Sequence, residues 1–250
     1  MTKTPCFLIA RDRFTCLKNM VEYLVQIPEL EVIIIDNAST YPDLLNWYDK
    51  DPCKIYRLDQ NFGNFCLFSS PDAIPGCTKP DFKEIYGIDK GRQYILSDCD
   101  LDLSNVSRET LLPTLQEGLR EYPNAVKCGL SLEINDLPDT ALAREAIGWE
   151  NFNWVRNPKK GDKPGGKFIS APVDTTFALY TGIGEQNDFD RCIRTDRPLT
   201  ARHLTWYYGP HNPPPEDEMW YLRNISKSHN HYSSRLLNIM EGKPMTEGLV

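Results

Sequence analysis

The sequence predicts an α/β fold: a mixed, mainly parallel sheet flanked by helices, with a C-terminal elaboration. Three observations predict it. Apolar runs of strand length alternate with amphipathic stretches of helix length through the first hundred residues, which is the pattern of parallel βαβ units. These runs end in acidic, basic or amide residues, and open α/β sheets bind ligands outside the carboxyl ends of their strands. With 40% hydrophobic and 25% charged residues and no internal repeat, the composition suits a globular core rather than a repeat array or a disordered chain.

Residues Cys6–Ala10 read as the first strand and run into Arg11-Asp12-Arg13. Phe14, Leu17, Met20, Val21, Leu24 and Val25 then recur at helical spacing, and Pro28 closes that segment. The second strand, Val32–Ile35, breaks into Asp36-Asn37-Ala38-Ser39-Thr40. Thr40 and Asp43 have the spacing of a capping box for a helix through Leu44, Leu45 and Tyr48. A third strand, Lys54–Leu58, leads to Asp59-Gln60-Asn61-Phe62-Gly63-Asn64. The next stretch, 65–90, is rich in Pro, Gly and Ser and reads as irregular, with one short helix near Lys83–Tyr86.

Tyr94–Ser97 reads as a buried strand running into Asp98-Cys99-Asp100-Leu101-Asp102. Side chains two apart in extended chain share a face, so the three carboxylates are expected to address one pocket. Such a cluster needs a divalent metal, a Lys or Arg partner, or solvent between its charges. Beyond it, Ser107 starts a helix carrying Leu111, Leu112, Leu115 and Leu119. Ala125–Ile134 reads as a strand and Leu137–Trp149 as a helix. Arg156–Lys167 holds five cations in twelve residues; it reads as a surface loop, with a lid over a diphosphate as the alternative. Asp174 opens a strand-like run to Tyr180, and Glu216, Asp217 and Glu218 read as the acidic first turn of a late helix after Pro215. No second core is expected in the C-terminal third.

The net charge of −7 argues against a nucleic-acid polymer or an anionic membrane surface as partner. No apolar run approaches the ~18–20 residues of a transmembrane segment, and the N-terminus lacks a signal-peptide apolar region. Eight cysteines without a C-x-x-C pair read as reduced, packed thiols. A cytoplasmic location follows as the expectation.

Four stretches in order, Phe7-Leu-Ile-Ala-Arg-Asp-Arg13, Val32-Ile-Ile-Ile-Asp-Asn-Ala-Ser-Thr40, Asn61-Phe-Gly-Asn64 and Ser97-Asp-Cys-Asp100, resemble inverting nucleotide-sugar glycosyltransferases of the GT-A fold. The likeness is to the family 2-like branch, including small viral and bacterial members with a late Arg-His-Leu-x-Trp-Tyr segment. It covers Cys6–Asp102 in motif order and continues weakly to about Tyr221. The resemblance implies a Rossmann-like GT-A domain over residues 1–250, with a nucleotide-sugar-binding half (1–102) and an acceptor and catalytic half (103–250). It implies a nucleoside diphosphate sugar donor, commonly uridine-based, a glycan or other hydroxyl acceptor, and Mn²⁺ or Mg²⁺ as cofactor.

Residue by residue, the resemblance places Ala10, Arg11, Asp12, Asp36, Asn37, Asn61, Gly63 and Asp98 at the nucleotide-sugar. Asp100 becomes the metal ligand with Asp98 beside it, although the register Asp100-Leu101-Asp102 stays open. His203 is the candidate third ligand, ahead of His229 and His231, because Mn²⁺ accepts an imidazole more readily than Mg²⁺ does. Its alternative is a packed imidazole among aromatic neighbours. Asp174 is the candidate base that takes the acceptor proton, ahead of Glu216, Asp217 and Glu218, against a turn carboxylate bonded to Thr175 or Thr176. Of the aromatic residues Trp149, Trp154, Trp206, Tyr207, Tyr208 and Trp220, most are expected in the core and some in an acceptor platform. Two other functions remain open: a sugar-nucleotide or glycan-binding module on the same fold, and a sugar-1-phosphate nucleotidylyltransferase. The second normally has a glycine-rich first loop, and Ala10-Arg-Asp-Arg13 has no glycine.

Overall fold

A computed structural model describes residues 2–74, 76, 79–154, 166–182, 188–225 and 231–243. Its centre is an eight-stranded sheet in the order β3-β2-β1-β4-β9-β6-β10-β8. The members are β1 (Thr4–Ala10), β2 (Leu30–Asp36), β3 (Lys54–Arg57), β4 (Tyr94–Asp98), β6 (Lys127–Gly129), β8 (Phe168–Ile169), β9 (Ala178–Tyr180) and β10 (Cys192–Thr195). β3, β2, β1 and β4 pair in parallel, β9 runs against β4 and β6, β10 is parallel to β6, and β8 is antiparallel to β10. The sheet is thus mostly parallel and flanked by helices, an architecture compatible with a Rossmann-like fold.

Strand residues alternate between two apolar layers, as the two-residue period requires. Cys6, Leu8, Val32 and Ile34 join one core with α1 (Phe14–Leu24), α2 (Pro42–Tyr48) and α4 (Arg108–Glu121). Phe7, Ile9, Ile33 and Ile35 join the other, beneath the segment that includes Phe62, Leu67 and α3 (Phe82–Ile85). Burial on both faces explains why these strands are continuous apolar runs rather than alternating ones. Gly118 lets α4 lie close: a Cβ there would sit 2.6 Å from Cys128 Sγ and 2.9 Å from Phe168 Cε1.

A second, three-stranded sheet has the order β5-β11-β7, formed by β5 (Leu101–Asp102), β7 (Ser131–Leu132) and β11 (Thr200–His203). β11 is antiparallel to β5, with Arg202 opposite Asp102 and His203 opposite Leu101. The remaining helices are α5 (Ala141–Trp154), α6 (Glu216–Asn224) and α7 (His231–Met240). They enclose a separate apolar cluster of Leu142, Tyr208, Tyr221, Leu222, Leu236 and Leu237. The expectation of no further core in the C-terminal third is corrected by that cluster.

Several other boundaries differ from the sequence-based expectation, each for a local reason. The run Ala125–Ile134 is two strands, because the chain leaves the main sheet at Leu130 and enters the small one at Ser131. The helix expected from Leu137 starts at Ala141, where the Thr140 hydroxyl accepts the Ala143 N–H. Thr40 does not form the capping box. Instead α2 begins after Tyr41 with Pro42 in its first turn, and the Asp12 carboxylate accepts the Thr40 and Tyr41 N–H groups. Asp174 precedes β9 by four residues and opens no strand. Most of the cationic loop Arg156–Lys167 lies outside the described residues.

Among the described residues no helix is long and apolar enough to cross a membrane. The described cysteines, Cys6, Cys16, Cys53, Cys66, Cys99, Cys128 and Cys192, are free thiols.

Candidate functional site

The parallel strands β1, β2 and β4 deliver their carboxyl ends to one edge, in a register that sets Ala10 beside Asp36 and Ile9 beside Asp98. A cleft of about 960 Å³ opens there. It is lined by Ala10, Arg11, Asn37, Asn61, Gly63, Asp98, Asp100 and His203 from the sequence-predicted set, together with Arg13, Trp149, Trp206 and Tyr221. Asp12, Asp36 and Asp174 do not line it.

Asp12 and Asp36 are turned into the protein. The Asp12 backbone is left-handed, with φ +58°, and its buried carboxylate ties down the start of α2 through Thr40 and Tyr41. Both Asp36 oxygens are used within the fold, accepting from Ser39 N–H at 3.0 Å and Tyr48 O–H at 2.9 Å. Burial holds the Asp36 carboxyl above the usual carboxylate range. These two carboxylates shape the loops at the ligand edge, a correction to their expected contact with a nucleotide. Asn37 acts similarly but from the cleft wall: its amide donates to Gly63 C=O at 3.0 Å and accepts Phe62 N–H at 3.1 Å. The Asn61 side chain accepts Gly63 N–H at 2.8 Å, and Gly63 takes φ +61°, a conformation glycine adopts without a Cβ penalty.

The three-carboxylate face divides. β4 ends at Asp98 and β5 begins at Leu101 in another sheet, so the extended-chain parity does not carry through to Asp102. Asp98 and Asp100 line the cleft. Asp102 instead accepts Ser104 N–H at 2.8 Å and lies 3.7 Å from Arg202 in the small sheet.

Asp100 is buried. Its Oδ2 accepts from Arg13 Nη1 at 2.7 Å and lies 3.6 Å from His203 Nε2, while Oδ1 has no partner among the described residues. Arg13 also reaches Glu218, at 3.0 Å from Nη2 and 2.8 Å from Nε, and lies 3.9 Å above the Tyr221 ring. Burial opposes ionisation of Asp100, but the charges at His203 and Arg13 outweigh it and hold its pKa below the ordinary value. Burial lowers the His203 pKa, and the Asp100 charge acts in the opposite direction. Burial likewise raises Glu218, partly offset by Arg13. One guanidinium therefore faces two buried carboxylates.

Asp98 completes the local balance by another route. Thr175 donates its hydroxyl to Asp98 Oδ2, and the Asp98 N–H donates to Thr175 C=O at 2.8 Å. Burial first, and then the Asp100 charge, push the Asp98 carboxyl up to about 8. Between Asp's ordinary value near 3.8 and about 8, the folded state binds a proton that the unfolded state does not. Stability contributed by this group therefore falls as pH rises through that window. Asp98→Asn is expected to flatten this part of the pH dependence, measured as melting temperature from pH 5 to pH 9 without added metal. An unchanged profile would show that Asp98 does not titrate there.

The donor set fits a divalent cation in part. The His203 ring is stacked on Trp206 at 4.8 Å, and Thr205 Oγ1 holds its Nδ1 at 2.7 Å, leaving Nε2 on the Asp100 side. Fixing one ring nitrogen by a hydrogen bond is how proteins orient a ligating imidazole. Among the described residues no group of three carboxylate, His or Cys side chains converges as a metal cage. Two protein donors, Asp100 Oδ1 and His203 Nε2, suit a cation whose other ligands are phosphate oxygens and water. His229 and the side chain of His231 lie outside the described residues.

Asp174 is exposed. It directly precedes Thr175, and its charge contributes to the shifts of both Asp98 and His203. Arg13 and Tyr221 were given no part in the site by sequence reasoning, although Arg13 follows the first strand end by three residues. Thr175 was expected as a partner of Asp174 and instead donates to Asp98, and Glu218 entered only as one of three carboxylates weighed against Asp174. No protein-family model and no curated protein matches this chain.

Proposed function

We propose that this protein is a metal-dependent inverting glycosyltransferase of the GT-A type. It moves a hexose from a nucleoside diphosphate sugar, with a UDP-sugar as the first donor to test, to a hydroxyl of a glycan or other acceptor. The observation that carries this reading is the convergence of Asp98, Asp100 and His203 with Ala10, Arg11, Asn37, Asn61 and Gly63 on one cleft at the carboxyl edge of a mostly parallel sheet.

The residues divide the work as follows. Arg11 brings positive charge to the cleft that takes the diphosphate. Asn37 and Asn61 hold the Gly63 turn as the wall against the donor. Mn²⁺ or Mg²⁺ held by Asp100 and His203, with Asp98 adjacent, would offset the charge that develops on the leaving diphosphate. The acceptor oxygen forms its bond to the anomeric carbon as the bond to the diphosphate oxygen breaks, with the electron pair leaving on the diphosphate. Asp174 takes the acceptor proton from the face opposite the leaving group.

A panel of nucleoside diphosphate sugars with Mn²⁺ tests the proposal, reading thermal shift and nucleoside diphosphate release with varied hydroxyl acceptors. Acceptor-stimulated release for one donor is the expected result. Donor-dependent stabilisation without release supports a binding module instead, a reading favoured by the Arg13 contact on Asp100 and by the place of Asp174 outside the cleft lining.

A further inference from the structure

α5 contributes part of the cleft lining, and it presents an unusual stripe. Glu145 and Trp149, one helical turn apart, both line the cleft. Phe152 continues their exposed face. Trp149 is 79% exposed and Phe152 60%, and among the described residues no ring stacks on Trp149. An indole can bury on the order of 150–250 Å², so a tryptophan left in water at the mouth of a cleft marks a contact surface.

The helix that carries the stripe is anchored on its other face. Leu142, Ala143, Ala146, Glu150 and Asn153 are buried, with Glu150 paired to the buried Arg194 of β10 and hydrogen-bonded to Asn153 at 3.2 Å. The surface is therefore held on a fixed element. One turn before the indole, the half-exposed Glu145 carboxylate is paired with Arg235 of α7. A flat apolar face next to a charged, hydrogen-bonding pair matches one class of ligand. A pyranose offers a C–H face that packs on an aromatic ring and a rim of hydroxyls that both donate and accept.

We propose that the Glu145–Trp149 stripe of α5 is the acceptor subsite and that its ligand is a carbohydrate. For its part in catalysis this rests on the transferase reading; for sugar binding it rests on the stripe itself. The cleft, at about 960 Å³, is at the upper end of the roughly 300–1,000 Å³ typical of a single small-ligand site, which suits two sugar-bearing substrates. A lipid chain on the same surface would strip water from the Glu145–Arg235 pair, and an anionic headgroup would meet a protein of net charge −7.

The test compares the wild type with W149A and W149F. Defined trisaccharides (maltotriose, cellotriose and chitotriose) are titrated by saturation-transfer NMR, and UDP-sugar binding is measured in parallel. Saturable binding of at least one trisaccharide, weakened about tenfold or more in W149A and largely retained in W149F, with donor binding unchanged, is the expected result. Equal trisaccharide binding in W149A, no binding of any of the three, or loss of binding to phosphatidylcholine and phosphatidylglycerol vesicles instead would overturn the subsite. Trisaccharide binding that depends on Trp149 in a protein with no donor turnover would leave the subsite standing and remove the transferase reading. Working transfer with an unchanged acceptor KM in W149A would do the reverse.

Discussion

Arg13→Ala is expected to lower the melting temperature by about 6–20 °C, the equivalent of the ~3–5 kcal/mol lost when one partner of a buried ion pair is removed. The guanidinium is the cation shared by Asp100 and Glu218, and neither carboxylate has comparable access to water. Removing it leaves two like charges in the interior and an empty space above the Tyr221 ring. Because burial already biases Glu218 towards its protonated form, the loss should be smallest in mild acid and grow as pH rises. Arg13→Lys should recover only part of it, since an ammonium cannot bond both carboxylates in the guanidinium's planar fork. A double variant with Glu218→Gln should lose less than the sum of the two single variants. Thermal denaturation across pH 5–9 reads all of these, and strict additivity would show that Arg13 and Glu218 are not coupled.

Asp100→Asn is expected to do the opposite: leave the fold nearly intact and remove turnover. Asparagine keeps an oxygen that can accept from Arg13, and Arg13 keeps Glu218, so the melting temperature should change by no more than a few degrees. The loss falls on the site. Without the carboxylate, Oδ1 no longer offers an anionic ligand beside His203 Nε2, and nucleoside diphosphate release from the best donor in Mn²⁺ should fall by about 10²–10³ or more. The Asp98 carboxyl should also return towards its ordinary value, because the Asp100 charge is one of the causes that raise it. Full turnover in this variant would remove Asp100 from the metal assignment, and a collapse of the melting temperature alongside turnover would make its role structural.

The strands were legible because what makes them is local. Cys6–Ala10, Val32–Ile35 and Tyr94–Ser97 are apolar on both faces, and each ends in residues unsuited to that environment. The cleft was legible for the same reason: parallel strands bring their carboxyl ends to one edge, so Ala10, Asn37 and Asp98 meet without any knowledge of side-chain packing. What each carboxylate does there was not legible. Asp12 and Asp98 are similar in sequence context, yet Asp12 is claimed by backbone N–H groups 28 and 29 residues away and Asp98 by a threonine 77 residues away. The parity argument failed at Asp102 because a strand changes sheets between Asp98 and Leu101. Nothing in a two-residue period announces such a change. His203 was singled out through the resemblance, with a packed imidazole among aromatic neighbours as the alternative, and its ring is stacked on Trp206 with Nε2 3.6 Å from Asp100 Oδ2.

Two carboxylates of α6 close the circuit from far along the chain. Asp217 accepts both the N–H and the hydroxyl of Thr15, at 2.8 and 2.7 Å, and Glu218 binds Arg13 across 205 residues of sequence. On a ribosome adding about 5–20 residues per second, Arg13 is made roughly 10–40 s before Glu218 exists. The opening βαβ units can pair during that interval, but the first turn of α1 and the charge on Asp100 wait for α6. The cleft is thereby completed only once α6 has been made, and a nascent chain stalled before α6 would hold a folded sheet with an incomplete site.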